Sequence, residues 1–134
     1  MRVILDTNIY VSFALGSSAL RPLRHAWETE RFSTLISRYL VAEIEAVLMR
    51  SKFSSFLRPE AVDDLLELIL TLGEPVNPKL PHPSFSDPKD RYLLAMLRDS
   101  AAEVLVTGDK RLLELKSFED KLIILPAVLL EQLH

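Results

Sequence analysis

Four carboxylates, Asp6, Glu43, Asp90 and Asp109, stand where their side chains could meet around a cation. Asp6 ends the apolar run Val3-Ile4-Leu5, and Asp109 follows Val104-Leu105-Val106-Thr107-Gly108. Continuous apolar runs of this length read as buried parallel strands. In open α/β sheets ligands bind outside the carboxyl ends of the strands, where strand order reverses. Two acids so placed face one crevice if their strands flank that point. Hard divalent cations take oxygen ligands, and Mg²⁺ uses a few carboxylates while keeping several waters. One or two such ions could orient and deprotonate a water and stabilise the leaving oxygen during in-line attack on a phosphodiester. Without a cation, the same acids would raise one another's pKa and destabilise the fold. On that reasoning Asp6→Asn in the metal-free protein is expected to cost little stability, or to add some.

Each acid also has a bland account. Asp is a favoured turn residue, which covers Asp6. Asp87 fits an N-cap before Pro88, and Asp90 in the first turn could serve the helix dipole. Glu43, three residues after Leu40 and four before Val47, borders an apolar stripe and fits a solvated helix face equally well. Asn8 and Thr107 offer neutral contacts beside the acids, with Asp87 as support. His25, His82 and His134 have no ligand spacing. Trp27 with Phe32, and Tyr92 with Phe85, could stack bases, although aromatics at such spacing more often fill a core. Arg21, Arg24, Arg38, Arg50, Lys52, Lys110 and Arg111 could touch phosphates, but scattered basic residues usually solvate a surface.

The elements that must position these groups can be read from periodicity. Leu20 to Arg31 reads as a helix with Pro22 in its first turn, and Phe32 to Ile36 as a second strand. Ser37 looks like an N-cap for a helix from Arg38 to Lys52 carrying Leu40, Ile44, Val47 and Leu48. A second amphipathic helix runs from Pro59 through Val62, Leu65, Leu66, Ile69 and Leu70 to Gly73. Glu74 to Asn77 is expected as a short edge strand, where Pro is tolerated. Prolines 78, 81, 83 and 88 mark a loop leading to a helix with Leu93, Leu94 and Leu97. Glu103 to Thr107 is the fourth strand, followed by a short helix after Asp109. Leu122 to Leu125 is the last strand, and Pro126 opens a final helix. Strands alternating with helices imply a parallel sheet covered on both faces.

A length of 134 residues with 49% hydrophobic positions provides for one domain, residues 1–134. The absence of Cys excludes disulfides, Cys-ligated zinc and a thiol nucleophile. The N-terminus reaches Asp6 after three apolar residues, short of a signal peptide, and no apolar run approaches the roughly 20 residues that span a bilayer. A cytoplasmic protein is expected. A net charge of −3 argues against binding nucleic acid by bulk electrostatics. It leaves room for an acidic centre whose bound cations reverse the local sign.

Val3-Ile4-Leu5-Asp6-Thr7-Asn8, the helical Glu43, Asp87-Pro88-Lys89-Asp90 before Leu93-Leu94-Ala95, and Leu105-Val106-Thr107-Gly108-Asp109 together resemble the PIN domain over nearly the whole chain. The likeness is nearest to the branch of toxin components of toxin-antitoxin systems, relatives of VapC-type toxins. It implies a three-layer α/β/α fold with a parallel sheet of about five strands in the order 3-2-1-4-5. It also implies Mg²⁺- or Mn²⁺-dependent endoribonuclease activity, a homodimer and an antitoxin partner. The family's four acids fall on Asp6, Glu43, Asp90 and Asp109, as metal ligands or water-orienting groups. The branch often carries further acids where this chain has Lys89, Arg91 and Arg111. Those basic residues motivate an alternative, a non-catalytic interaction module. A phosphatase using Asp6 as nucleophile is a further alternative, but enzymes of that kind need an acid where this chain has Asn8.

Overall fold

Val3-Ile4-Leu5 and Val104-Leu105-Val106 are buried and lie side by side in parallel, with Ile4 opposite Leu105. Strands covered on both faces need no polar alternation, which is why these segments are uniformly apolar. The computed structural model describes residues 1–50, 55–79 and 87–133. Lys52, Pro81, His82, Pro83, Phe85 and His134 lie outside them.

The described elements are β1 (Arg2–Leu5), α1 (Thr7–Ala14), α2 (Arg21–Glu28), β2 (Ser33–Ile36), α3 (Arg38–Leu48), α4 (Pro59–Leu72), β3 (Gly73–Pro75), α5 (Pro88–Asp99), β4 (Val104–Val106), α6 (Lys110–Leu113), β5 (Ser117–Phe118), β6 (Lys121–Ile124) and α7 (Pro126–Gln132). The sheet order is β3-β2-β1-β4-β6-β5. All neighbours pair in parallel except β5, which is antiparallel to β6. Helices cover both faces, giving a three-layer α/β/α fold. The expected order 3-2-1-4-5 is met, with β6 as the expected fifth strand and β5 added at the edge. Strand order reverses between β1 and β4, which places the crevice at their carboxyl ends.

Leu40, Ile44, Val47 and Leu48 of α3 and Val62, Leu65 and Ile69 of α4 join one apolar core with Leu93, Leu94 and Leu97 of α5. Leu70, expected on the buried stripe, is instead 59% exposed. Two caps behave as expected: Ser37 Oγ accepts from the Leu40 amide at 3.2 Å, and Asp87 Oδ1 from the Lys89 amide at 2.9 Å. Gly73 lets β3 begin directly after α4. A Cβ there would stand 2.6 Å from the Ile69 carbonyl oxygen and 2.7 Å from the Ile36 side chain, so only glycine fits.

Two elements differ from expectation. Thr7 to Ala14 forms α1, although the segment has no helical spacing of polar residues. Thr7, Ile9, Tyr10, Val11 and Phe13 are all buried, so burial on several sides erases the amphipathic signal. The β5-β6 hairpin turns through Glu119 and Asp120, at φ 54° and 62°. Positive φ at both positions suits a type I′ turn, whose usual marker is Asn-Gly. Trp27 stacks on Phe13 at 5.6 Å and meets Tyr10 edge-on at 5.7 Å. Trp27 and Phe32 are buried core residues, so neither is a surface for stacking bases. Among the described residues no helix is long and apolar enough to cross a membrane.

Candidate active site

The β1 and β4 strand ends deliver their acids to the crevice together. Asp6 directly follows β1, is 1% exposed and precedes the first turn of α1. Its Oδ2 accepts a 2.6 Å hydrogen bond from Thr107 Oγ1, and that same oxygen of Thr107 accepts from the Asp109 amide at 3.0 Å. Thr107 therefore bridges the two strand ends. Lys89 Nζ lies 3.1 Å from Asp6 Oδ1 as an ionic contact without hydrogen-bond alignment. Both Asp6 oxygens are thus engaged, which gives a nucleophilic role no support. Asn8 is exposed on α1 and forms no hydrogen bond to these acids among the described residues.

Asp90 projects from the first turn of α5 and is 5% exposed. Its Oδ1 is buried and has no hydrogen-bond partner among the described residues. Such an orphan costs the desolvation of a charged oxygen, more than the roughly 1–3 kcal/mol of a neutral group. Burial pushes the Asp90 carboxyl above the ordinary carboxylate range; Asp87 and Asp109 push the same way, against Arg111. Asp87 shows the reverse. Its hydrogen bond from Arg111, helped by the Lys89 amide, holds its carboxyl below the ordinary range.

Asp109 is the N-cap of α6 and accepts from the Arg111 amide through Oδ1 at 2.9 Å. The Arg111 side chain then turns back over the acids. A single nitrogen, Nη2, lies 2.9 Å from Asp87 Oδ2, 3.5 Å from Asp109 Oδ2 and 3.7 Å from Asp90 Oδ2. Asp87 belongs to this convergence as fully as Asp90 and Asp109. Glu43 does not. Its Oε2 accepts a 2.5 Å hydrogen bond from the Tyr92 hydroxyl, whose oxygen lies 3.1 Å from Thr7 Oγ1. Because the phenol proton goes to Glu43, the Thr7 hydroxyl is the donor to Tyr92. Burial, then the hydrogen bond to Glu43, raises the Tyr92 pKa well above its ordinary value, so Tyr92 stays a donor. Glu43 shares with Asp87, Lys89, Tyr39 and Tyr92 a cleft of about 480 Å³.

The donor set suits a hard cation in type, and the bare Asp90 oxygen is the kind of group a cation would satisfy. The spacing is that of a guanidinium. Mg²⁺ to oxygen distances are about 2.0–2.1 Å, and among the described residues no three Asp, Glu, His or Cys side chains stand close enough to hold a metal as they are. Sequence reasoning did not assign Lys89 and Arg111 as partners of the acids, although their replacement of expected acids was the available signal. It also passed over Thr7 and the hydrogen-bonding part of Tyr92. A Thr and a Tyr in apolar surroundings carry no distinctive spacing.

In a parallel α/β sheet ligands bind outside the carboxyl ends of the strands at the reversal point, and these strand-end and helix-start acids stand there. The sequence pattern of the PIN domain matches residues 2–111, and the chain belongs to that family. No curated protein matches it in sequence. Among solved structures, a chain from the crystal structure of VapBC2 from Rickettsia felis bound to a DNA fragment from their promoter is similar in fold. Its TM-score is 0.57 at 18% identity, over 92% of this chain and 97% of that one.

Proposed function

We propose that this chain is a single-domain, cytoplasmic endoribonuclease dependent on Mg²⁺ or Mn²⁺, a homodimer and the toxin of a toxin-antitoxin pair. The observation that carries the reading is Asp90 Oδ1, a buried carboxylate oxygen with no hydrogen-bond partner among the described residues. It stands at the crevice where Asp6 and Asp109 emerge from β1 and β4. Membership of the PIN domain family supports nuclease chemistry, and the VapBC2 complex that shares the fold supports an antitoxin partner.

In this reading Asp6, Asp90 and Asp109 hold the ion, with Asp87 beside them. When bound, the divalent ion supplies activation of a water and charge stabilisation at the phosphate. Thr107 fixes Asp6 and the Asp109 amide relative to each other, so two of the acids are preorganised by β1 and β4. Tyr92 orients Glu43 at the edge of the cleft, where its carboxylate can accept a proton from the attacking water. The cleft lined by Tyr39 and Lys89 has room for a nucleotide next to the acids.

The test is cleavage of RNA with Mn²⁺, with EDTA, and by Asp6→Asn and Asp90→Asn. Cleavage is expected with Mn²⁺ alone, and cleavage that persists through chelation and both substitutions rejects the reading. One observation favours a second reading, a non-catalytic interaction module: the cations of Lys89 and Arg111 already neutralise part of the centre. A module of that kind shows no Mn²⁺-induced rise in melting temperature, because an ion that does not bind the native state cannot stabilise it.

A further inference from the structure

The acidic centre contains its own cations, and they differ in how firmly they are held. Lys89 is tied down: its side chain is 17% exposed and pairs with an Asp6 that is almost wholly buried. Arg111 is 61% exposed in the side chain, so it can withdraw into water without opening the core. Its Nη2 nevertheless sits at the convergence of Asp87, Asp109 and Asp90. We infer that Arg111 is a displaceable counter-ion in the cation position of this centre, and that a divalent ion enters only by driving its guanidinium off Asp87, Asp90 and Asp109. The inference rests on the metal-dependent reading above.

Three features carry it. Nη2 reaches Asp90 only through Oδ2 at 3.7 Å, beyond hydrogen-bond length, and leaves the buried Oδ1 bare. Arg111 therefore holds the place incompletely, whereas a smaller cation that fills out its coordination shell with waters needs only a few of these carboxylate oxygens. Charge points the same way. Four carboxylates, Asp6, Asp87, Asp90 and Asp109, against Lys89 and Arg111 leave a formal −2. Withdrawal of Arg111 makes it −3, which a divalent ion brings to −1, one positive charge better than the guanidinium it replaces. Finally, a guanidinium cannot lose its proton in the working pH range, so it must leave physically before the oxygens can close to metal distances. The expected consequence is weak metal binding that an uncharged residue at position 111 strengthens.

The experiment measures Mn²⁺ affinity of the full chain by calorimetry and by the paramagnetic resonance of free Mn²⁺. The chains compared are wild type, Arg111→Gln, Lys89→Gln, and Arg111→Gln combined with Asp90→Asn. Arg111→Gln is expected to tighten binding on the order of tenfold, the scale of losing a competing charge at about 4 Å in a high-dielectric setting. Lys89→Gln should shift affinity less, and Asp90→Asn should abolish the gain in the combined variant. In the wild type, the ¹⁵N resonance of the Arg111 guanidinium should move during Mg²⁺ titration, with a midpoint at the binding constant. Equal or weaker Mn²⁺ binding by Arg111→Gln than by a wild type that does bind overturns the displacement and leaves the metal site standing. No Mn²⁺ binding by any variant overturns the metal reading, and the displacement with it.

Discussion

The two ends of α5 treat charge in opposite ways. At its carboxyl end Arg98 Nε bonds Asp99 Oδ1 at 2.6 Å, and Arg98 Nη2 bonds the Lys79 carbonyl at 2.6 Å. The Lys79 amide donates to Asp99 Oδ2 at 2.7 Å. The Lys121 ammonium caps the Leu97 and Ser100 carbonyls, a cation where the helix dipole favours one. Every group has a partner, and the hydrogen bond from Arg98 lowers the Asp99 pKa to about 2. At the amino end Asp90 is buried, one oxygen is bare and its carboxyl is pushed upward by burial. Helix starts favour acids, but not desolvated ones crowded by two others. One end places charge for stability, and the other keeps a costly arrangement of the kind found where a site needs it.

The largest expected effect breaks that contrast at its sharp end. Asp90→Asn should lower Mn²⁺-dependent RNA cleavage by on the order of 10²–10³-fold, the scale of losing one preorganised electrostatic group. Thermal unfolding of the same variant without metal should be unchanged or raised, because the amide removes a buried charge. A variant that loses both activity and melting temperature would make Asp90 a structural residue.

Asp6 sharpens the comparison, because burial alone does not separate it from Asp90. Although buried, it has the Thr107 hydroxyl on one oxygen and Lys89 on the other. Asp6→Asn in the metal-free protein should therefore cost about 1.5–3 kcal/mol, the range for hydrogen bonds to a charged group, read from urea unfolding. Carboxylate repulsion alone would give the opposite sign, but Lys89 already neutralises Asp6. Thr107→Val should cost somewhat less, about 1 kcal/mol, by removing the bridge between Asp6 and the Asp109 amide. Urea midpoints of the two variants rank them.

The same forces decide how much of the molecule is legible in its residues. The central strands, the reversal point and the acids at β1 and β4 were readable because buried parallel strands are apolar throughout and their ends are abrupt. Ser37, Asp87 and Pro88 announced helix starts by types that caps require. α1 was hidden because Ile9, Tyr10, Val11 and Phe13 favour strands by propensity and are buried as helix by packing. β5 was hidden because Glu119-Asp120 makes a tight turn without glycine. In the site, the acids were visible by type, but the assignment of Lys89 to Asp6 and Arg111 to Asp87 depends on side chains crossing between α5, α6 and the strand ends. No spacing along one element encodes such a crossing.

The smallest effects come from pH, and they separate the two ends of α5 by sign. Both Asp90 and Asp99 have an ordinary value of 3.8. Because folding raises the Asp90 value, the unfolded chain ionises first as pH rises, and stability falls between 3.8 and the raised value before levelling. The advantage of Asp90→Asn over wild type should thus be absent below about pH 3.8 and fully developed at neutral pH. Folding lowers the Asp99 value to about 2, so its contribution is complete above 3.8 and lost as pH falls toward 2. Asp99→Asn should cost roughly 0.2–1 kcal/mol at neutral pH, as expected for a solvent-exposed ion pair, and nothing near pH 2. Urea unfolding from pH 2.5 to 7 gives both difference curves. If the two slope the same way, Asp90 has a partner that compensates its burial, and the contrast between the ends of α5 disappears.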